Sequence, residues 1–186
     1  MSAYLQQCPL IHGDITEFPV DALISSANKS LLGGGGLDYI IHKKAGSLMK
    51  EACIHLNKTK GGCQTGCAEV TVAGDLPAKF VIHAVAPRWL NGEKNEPQLL
   101  CNTYSSALRK AEEIKAQSVS VPNMGTGVYN FPKQLAAEIA IGTILSELPF
   151  YNEVKEVFFV CYDIVNYEIY KGILENIDDP KIEIII

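Results

Sequence analysis

Two runs of almost unbroken apolar residues, Phe80–Val85 (FVIHAV) and Val157–Cys161 (VFFVC), do most to limit what this chain can fold into. A strand this apolar has no face to offer water, so helices must cover both of its sides. Further β-rich runs fall at Tyr4–Ile11, Ala22–Ser25, Ala68–Ala73 and Ser118–Val121. Helical patterns lie between and after them at Asp38–Leu56, Pro97–Ala116, Pro132–Leu148 and Asn166–Asn176. Leu135, Ile139, Ile141 and Ile144 form a helical stripe, and Pro132 suits a first turn. Glu112 and Lys115 pair at spacing three on a surface face. The alternation predicts an α/β fold, a three-layer α/β/α sandwich around a mixed central sheet. The tail Lys181–Ile186 (KIEIII) either adds an edge strand or docks on the core.

With 186 residues, 47% of them hydrophobic, and a mean hydropathy of +0.09, residues 1–186 are expected to form one domain with a sizeable core. The net charge of −5 is the wrong sign for a general nucleic-acid binder. Lys43 with Lys44, and Arg109 with Lys110, make only small basic spots. The opening MSAYLQQCPLIHGD has no basic segment followed by a long apolar stretch, and no apolar run approaches a membrane span. The expectation is a cytoplasmic protein without a membrane partner. Its six cysteines are then reduced thiols.

Two glycine-rich segments, Gly33–Gly36 and Gly125-Thr126-Gly127-Val128-Tyr129-Asn130, each follow a strand-like run and precede a helical one. Such turns present bare N–H groups beside a positive helix N-terminus, which suits a phosphate. Two of them suit a diphosphate. In a doubly covered sheet the ligand belongs at the carboxyl ends of the strands, and both segments open at that rim. Four consecutive glycines exceed what a connector needs, since each costs roughly 0.5–1 kcal/mol relative to alanine. Close backbone approach to a ligand accounts for them.

The first segment is bracketed by Asn28 and Asp38. Asn28 is a turn residue or an amide that holds a ribose hydroxyl. Asp38 caps the next helix or favours its N-terminal dipole, and is also placed to orient or deprotonate water. Asn130 tolerates a left-handed backbone. Tyr129 is either an exposed tyrosine or a wall against a ribose. Gly13-Asp14-Ile15 follows the first strand, where Asp14 makes a turn with Thr16 or accepts from an exocyclic amine. Tyr162-Asp163 offers a stacking platform on the same rim. Cys63 and Cys67 have a spacing acceptable for zinc but no second ligand pair, so no metal site is assigned. His42 and His83 read as satisfied core histidines. No nucleophile elbow and no Gly-Lys-Ser/Thr phosphate loop is present.

In order along nearly the whole chain, several stretches together resemble the macrodomain family, in its branch of O-acetyl-ADP-ribose deacetylases and mono-ADP-ribosyl hydrolases. They are Gly13–Thr16, Val20–Ile24, Ala27-Asn28 through Asp38 and His42, Gly62–Gly66, Leu76–Lys79, Val81–His83, Gly125 through Pro132, and Val160–Asp163. The resemblance implies an α/β/α sandwich with an ADP-ribose cleft across the strand ends. By position, Asp14 stands where the family holds the adenine amine, with Ile15 beside it as a further ligand-binding residue, Asn28 where it holds the distal ribose, and Asp38 where it activates water. Gly33, Gly34, Gly35 and Gly36 stand at the distal ribose and diphosphate. Gly125, Thr126, Gly127 and Val128 resemble the second diphosphate loop, Tyr129 stands beside the distal ribose, and Tyr162 is a further ligand-binding residue on the rim.

The implied reaction is hydrolysis of the distal-ribose ester of O-acetyl-ADP-ribose or of a mono-ADP-ribosylated acidic side chain, with no metal or redox cofactor. The implied partners are ADP-ribose, its O-acetyl ester and mono-ADP-ribosylated proteins. A reader of ADP-ribose with little turnover is the alternative. The family's Asn-Ala-Ala-Asn reads Ser25-Ser26-Ala27-Asn28 here, which shortens a side chain that supports the loop. Tyr39 follows Asp38 where the family has glycine, so its ring is expected either to narrow the distal-ribose pocket or to shift Asp38.

Overall fold

In a computed structural model, which describes residues 5–186, seven strands form one sheet in the order β3-β4-β2-β5-β6-β1-β7. The strands are β1 (Gln6–His12), β2 (Val20–Ala27), β3 (Ala68–Val72), β4 (Ala78–Val85), β5 (Ser118–Val121), β6 (Glu156–Cys161) and β7 (Ile182–Ile185). All pair in parallel except β3, which runs antiparallel to β4 at one edge. The sheet is therefore mixed. The tail forms the opposite edge as β7, paired to β1. Tyr4, at the start of the first expected strand, lies outside the described residues.

Five helices cover the sheet: α1 (Gly36–Ala45), α2 (Ser47–Lys60), α3 (Glu96–Glu113), α4 (Lys133–Glu147) and α5 (Ile164–Leu174). Each central strand sends alternate side chains into two separate cores. In β2, Ala22 and Ile24 join the core under α3, α4 and α5, while Leu23 and Ala27 join the core under α1 and α2. In β4, Ile82 and Ala84 go one way and Val81 and Val85 the other. In β6, Phe159 and Val160 do the same. This two-sided burial explains the nearly unbroken apolar runs Phe80–Val85 and Val157–Cys161.

The single helix expected over Asp38–Leu56 is two. Gly46, at φ +84°, ends α1, and its N–H donates to the His42 carbonyl. A β-carbon there would lie 3.0 Å from Asp75 Oδ2. Apolar spacing carries through the break, so periodicity did not reveal it. All six cysteines are free thiols. Burial pushes Cys8 up to about 12 and Cys161 up to about 11, so these thiols stay protonated at neutral pH. Among the described residues no helix is long and apolar enough to cross a membrane.

Candidate functional site

The parallel strands β4, β2, β5, β6 and β1 all end at one rim, and the loops that leave them line three adjoining cavities. The central one opens where the sheet splits. β2 stays paired with β4 as far as Ala27 and Val85, but with β5 only at Ala22 and Leu23. Past that point β2 and β5 part. The crevice of about 410 Å³ is lined by Asn28, Gly34–Asp38, Asn123, Gly125, Gly127, Val128 and Tyr129, together with Ser26 and Ala27. Both glycine segments thus face each other across it.

The donors in this crevice are backbone groups. Helix α1 begins at Gly36 with no side chain capping it, and α4 begins at Lys133 with none either. Among the described residues the N–H groups of Gly35, Gly36, Gly125, Thr126, Gly127 and Val128 donate to no protein acceptor. The second loop is held from below instead. The Phe131 N–H donates to the Gly125 carbonyl at 2.9 Å and the Asn130 N–H to that of Gly127 at 3.0 Å. Asn130 takes the left-handed backbone expected of it, at φ +55°. Unpaired N–H groups at the uncapped start of α1 and along the loop Gly125–Val128 make a site for an anion.

Asp38 stands at the edge of the crevice yet is only 3% exposed. The Ser25 hydroxyl donates to its Oδ1 at 3.1 Å, and His42 Nε2 lies 3.6 Å from the same oxygen. Oδ2 has no hydrogen-bond partner. Burial raises the Asp38 carboxyl above the usual carboxylate range, against the opposing pull of His42, Ser25 and the Gly34 N–H. The carboxylate is thus held through Oδ1, while Oδ2 forms no hydrogen bond and faces Gly34.

Asn28 makes the turn foreseen for it and also faces the crevice. Its amide donates to the Gly33 carbonyl at 3.0 Å and accepts from the Ser30 hydroxyl at 2.8 Å, which makes it a turn residue, while it also lines the crevice. A β-carbon on Gly34 would stand 3.3 Å from Asn28 Nδ2 and 3.4 Å from Asp38 Oδ2, so these two groups meet over that glycine. Gly33 lines none of the three cavities. It shapes the turn, at φ +101°.

The second cavity, of about 450 Å³, adjoins the first through Gly36, Leu37, Asn123 and Gly127. Asp14, Ile15, Thr126, Tyr162 and Asp163 line it. Asp14 makes the foreseen turn, accepting from the Thr16 N–H at 2.9 Å, with Lys44 Nζ 3.4 Å from its other oxygen. Burial works to raise the Asp14 carboxyl, but the Thr16 bonds and Lys44 outweigh it and hold it low. Tyr162 is 78% exposed and free to stack. Lys133 and Ile40 also line this cavity, and sequence reading had passed over both. The position of Lys133, first in the helix after the second glycine loop, was the signal available.

Two expectations need correction. Tyr39 is 58% exposed and lines none of the cavities, so its ring does not narrow the crevice. It occupies the outer face of α1, one residue round from the buried Asp38. The histidines are not fully satisfied. His83 Nε2 lies 2.8 Å from the Thr71 hydroxyl and 3.7 Å from Cys53 Sγ, but His83 Nδ1 and His42 Nε2 have no hydrogen-bond partner. Donor atoms of His42, Cys53 and His83 lie within 4.8 Å of one another, and neither Cys63 nor Cys67 joins them. Burial and the nearby Asp38 push the Cys53 thiol up to about 11, and His83 Nε2 is already engaged by Thr71. The cluster packs directly behind Asp38.

A seven-stranded mixed sheet, covered on both faces and split over a crevice of unpaired N–H groups, defines a fold and a site together. Residues 24–140 match the Macro domain family, and the chain belongs to it. It is 67% identical over 182 residues to a "Macro domain-containing protein" of Acinetobacter sp. (strain ED45-25), covering 98% of this chain and all of that one. It is 43% identical over 170 residues to the "O-acetyl-ADP-ribose deacetylase" of Escherichia coli (strain K12), covering 91% of this chain and 96% of that one. Among solved structures it resembles the Oceanobacillus iheyensis macrodomain with ADP, with a TM-score of 0.84 and 36% identity, covering 89% of this chain and 88% of that one. It also resembles the Trypanosoma brucei macrodomain in complex with ADP-ribose, with a TM-score of 0.81 and 32% identity over 89% and 68% of the two chains.

Proposed function

We propose that this chain binds ADP-ribose along the rim and hydrolyses the ester on its distal ribose, either in O-acetyl-ADP-ribose or in a mono-ADP-ribosylated acidic side chain. The observation that carries the reading is the state of Asp38: buried, anchored through Oδ1, unpartnered at Oδ2, and in the wall of the crevice between two loops of free N–H groups. The adenine end takes the cavity of Asp14, Ile15 and Tyr162. The diphosphate takes the N–H groups of Gly35, Gly36 and Gly125 to Val128. The distal ribose lies against Asn28 and Tyr129. ADP- or ADP-ribose-bound relatives and a deacetylase relative support the assignment.

In the reaction Asp38 Oδ2 accepts a proton from water as the water oxygen attacks the ester carbonyl. The bond from the carbonyl carbon to the ribose oxygen then breaks. The proton passes to that oxygen, releasing the ribose hydroxyl and a carboxylic acid. Fixing the diphosphate places the ester within reach of the water, and this positioning lowers the barrier. The raised Asp38 carboxyl makes it a better base than an exposed aspartate. A reader with little turnover is the second reading, favoured by the engagement of Asn28 within its own turn. Acetate release from O-acetyl-ADP-ribose, measured beside ADP-ribose affinity by calorimetry, separates the two. Binding without acetate release favours the reader, and absence of binding overturns both.

A further inference from the structure

The third cavity, of about 690 Å³, continues the crevice beyond the distal-ribose end, which it joins through Asn28 and Tyr129. Hydrolysis of O-acetyl-ADP-ribose leaves it without a role, because an acetyl group would fill little of it. Its charged lining is uneven. Lys29, Arg88 and Lys94 contribute to it, and among the described residues none of them has a carboxylate within ion-pair distance. The one acid in the lining, Glu96, is buried and turned to another use. It accepts from the N–H groups of Leu90, Gly92 and Lys94 and so ties down the loop that carries Lys94. Burial works to raise the Glu96 carboxyl, and these backbone bonds overcome it and keep it ionised. Arg88 is set as well, its guanidinium 5.3 Å from the centre of the Tyr129 ring. Three unpaired cations in one groove stand out on a chain with 21 acidic residues and 16 lysines and arginines.

We propose that this groove binds the polypeptide on the far side of the ester, and that it selects modified side chains flanked by aspartate and glutamate. The inference rests on the ADP-ribose orientation given above. That orientation directs the distal ribose, and whatever is esterified to it, toward Asn28 and Tyr129. Lys29 and Lys94 then meet the flanking carboxylates, and Leu90 and Leu99 line the same groove as apolar contacts for the peptide stem.

The test uses peptides bearing one ADP-ribosylated glutamate, flanked either by acidic residues or by serine and glycine, with O-acetyl-ADP-ribose and free ADP-ribose as references. The variant is Lys29→Glu with Lys94→Glu; Arg88 is kept because it stacks on Tyr129. For the unsubstituted protein the acidic peptide should show a KM about ten-fold below that of the neutral one, with the gap closing as salt rises. The double variant should lose that preference and leave acetate release and ADP-ribose affinity unchanged. Affinities measured in an Asp38→Asn background, where the ester persists, give the same comparison without turnover. They therefore decide the inference even if hydrolysis itself fails. Equal affinity of the two peptides overturns it. A double variant that weakens free ADP-ribose to the same extent as the acidic peptide overturns it too, since the lysines would then serve the nucleotide.

Discussion

Gly34 is the point at which the two candidate reacting groups meet a backbone that has no side chain of its own. An alanine methyl there enters the 3.3–3.4 Å space before Asn28 Nδ2 and Asp38 Oδ2. Gly34→Ala should therefore lower ester hydrolysis by about ten-fold or more, the usual result of misplacing a reacting group by a fraction of an ångström. Gly35→Ala, whose methyl meets nothing within 4 Å, should keep most of the rate in the same acetate-release assay. Asp38 allows a two-sided prediction. Asp38→Asn should reduce turnover by roughly 10²–10⁴-fold, the range for a positioned acid–base group. The same change should raise the thermal midpoint at neutral pH. The folded protein binds the Asp38 proton more tightly than the unfolded chain does, so the ionised carboxylate opposes folding above its raised pKa. Turnover in the native protein should accordingly fail on the acid side at a pH above the usual carboxylate range, as Asp38 takes up its proton. Asn28, Asp38 and the glycines were legible because chemistry and turn geometry confine those residue types to particular places. Ser25 was not: it read as a shortened support, whereas its hydroxyl is the hydrogen bond that anchors Asp38 Oδ1. Only contact across the fold, from β2 to α1, gives it that role.

At the level of elements, the break between α1 and α2 separates what pattern reading can find from what it cannot. Ile41, Ala45, Met49 and Cys53 keep one apolar face across it, and the turn sits at a glycine that tolerates helix. Gly46→Ala would place a side chain at φ +84° and 3.0 Å from Asp75 Oδ2. The loss should be roughly 1–2 kcal/mol of stability, the cost of holding a non-glycine residue in a left-handed backbone, read from urea unfolding. The strands were legible as apolar runs, and their two-sided burial was legible from the lack of alternation. β2 extends beyond Ala22–Ser25 at both ends, since its pairing with β4 runs from Val20 to Ala27. Strand order left no trace in composition or period. Nor did the parting of β2 from β5, which makes the crevice, because pairing between distant segments is decided by the whole set of contacts.

Over the whole molecule, the buried imidazole of His83 ties folding to acidity. Burial, with His42 adding to it, lowers His83 from 6.5 to about 3. The unfolded chain then takes up this proton before the folded one does, so stability rises with pH across that interval and is lost as pH falls from about 6.5 toward about 3. Asp38, whose carboxyl is raised, works in the opposite direction at the acid end. Urea unfolding followed from pH 7 to 4 should show the decline, and His83→Gln should flatten it; an unchanged slope would remove His83 as the cause. A different consequence follows from the position of β1, which lies between β6 and β7. The first of these strands in chain order pairs with the last two, β6 and β7. While the chain is being synthesised, Cys8 and Leu10, both bound for the core, have no sheet to join until nearly every other element has emerged. Completion of the sheet is thus a late, long-range event. A ribosome stalled before β6 would hold a nascent chain with an apolar strand unmatched on both edges, and that strand is the segment a holdase chaperone would be expected to cover.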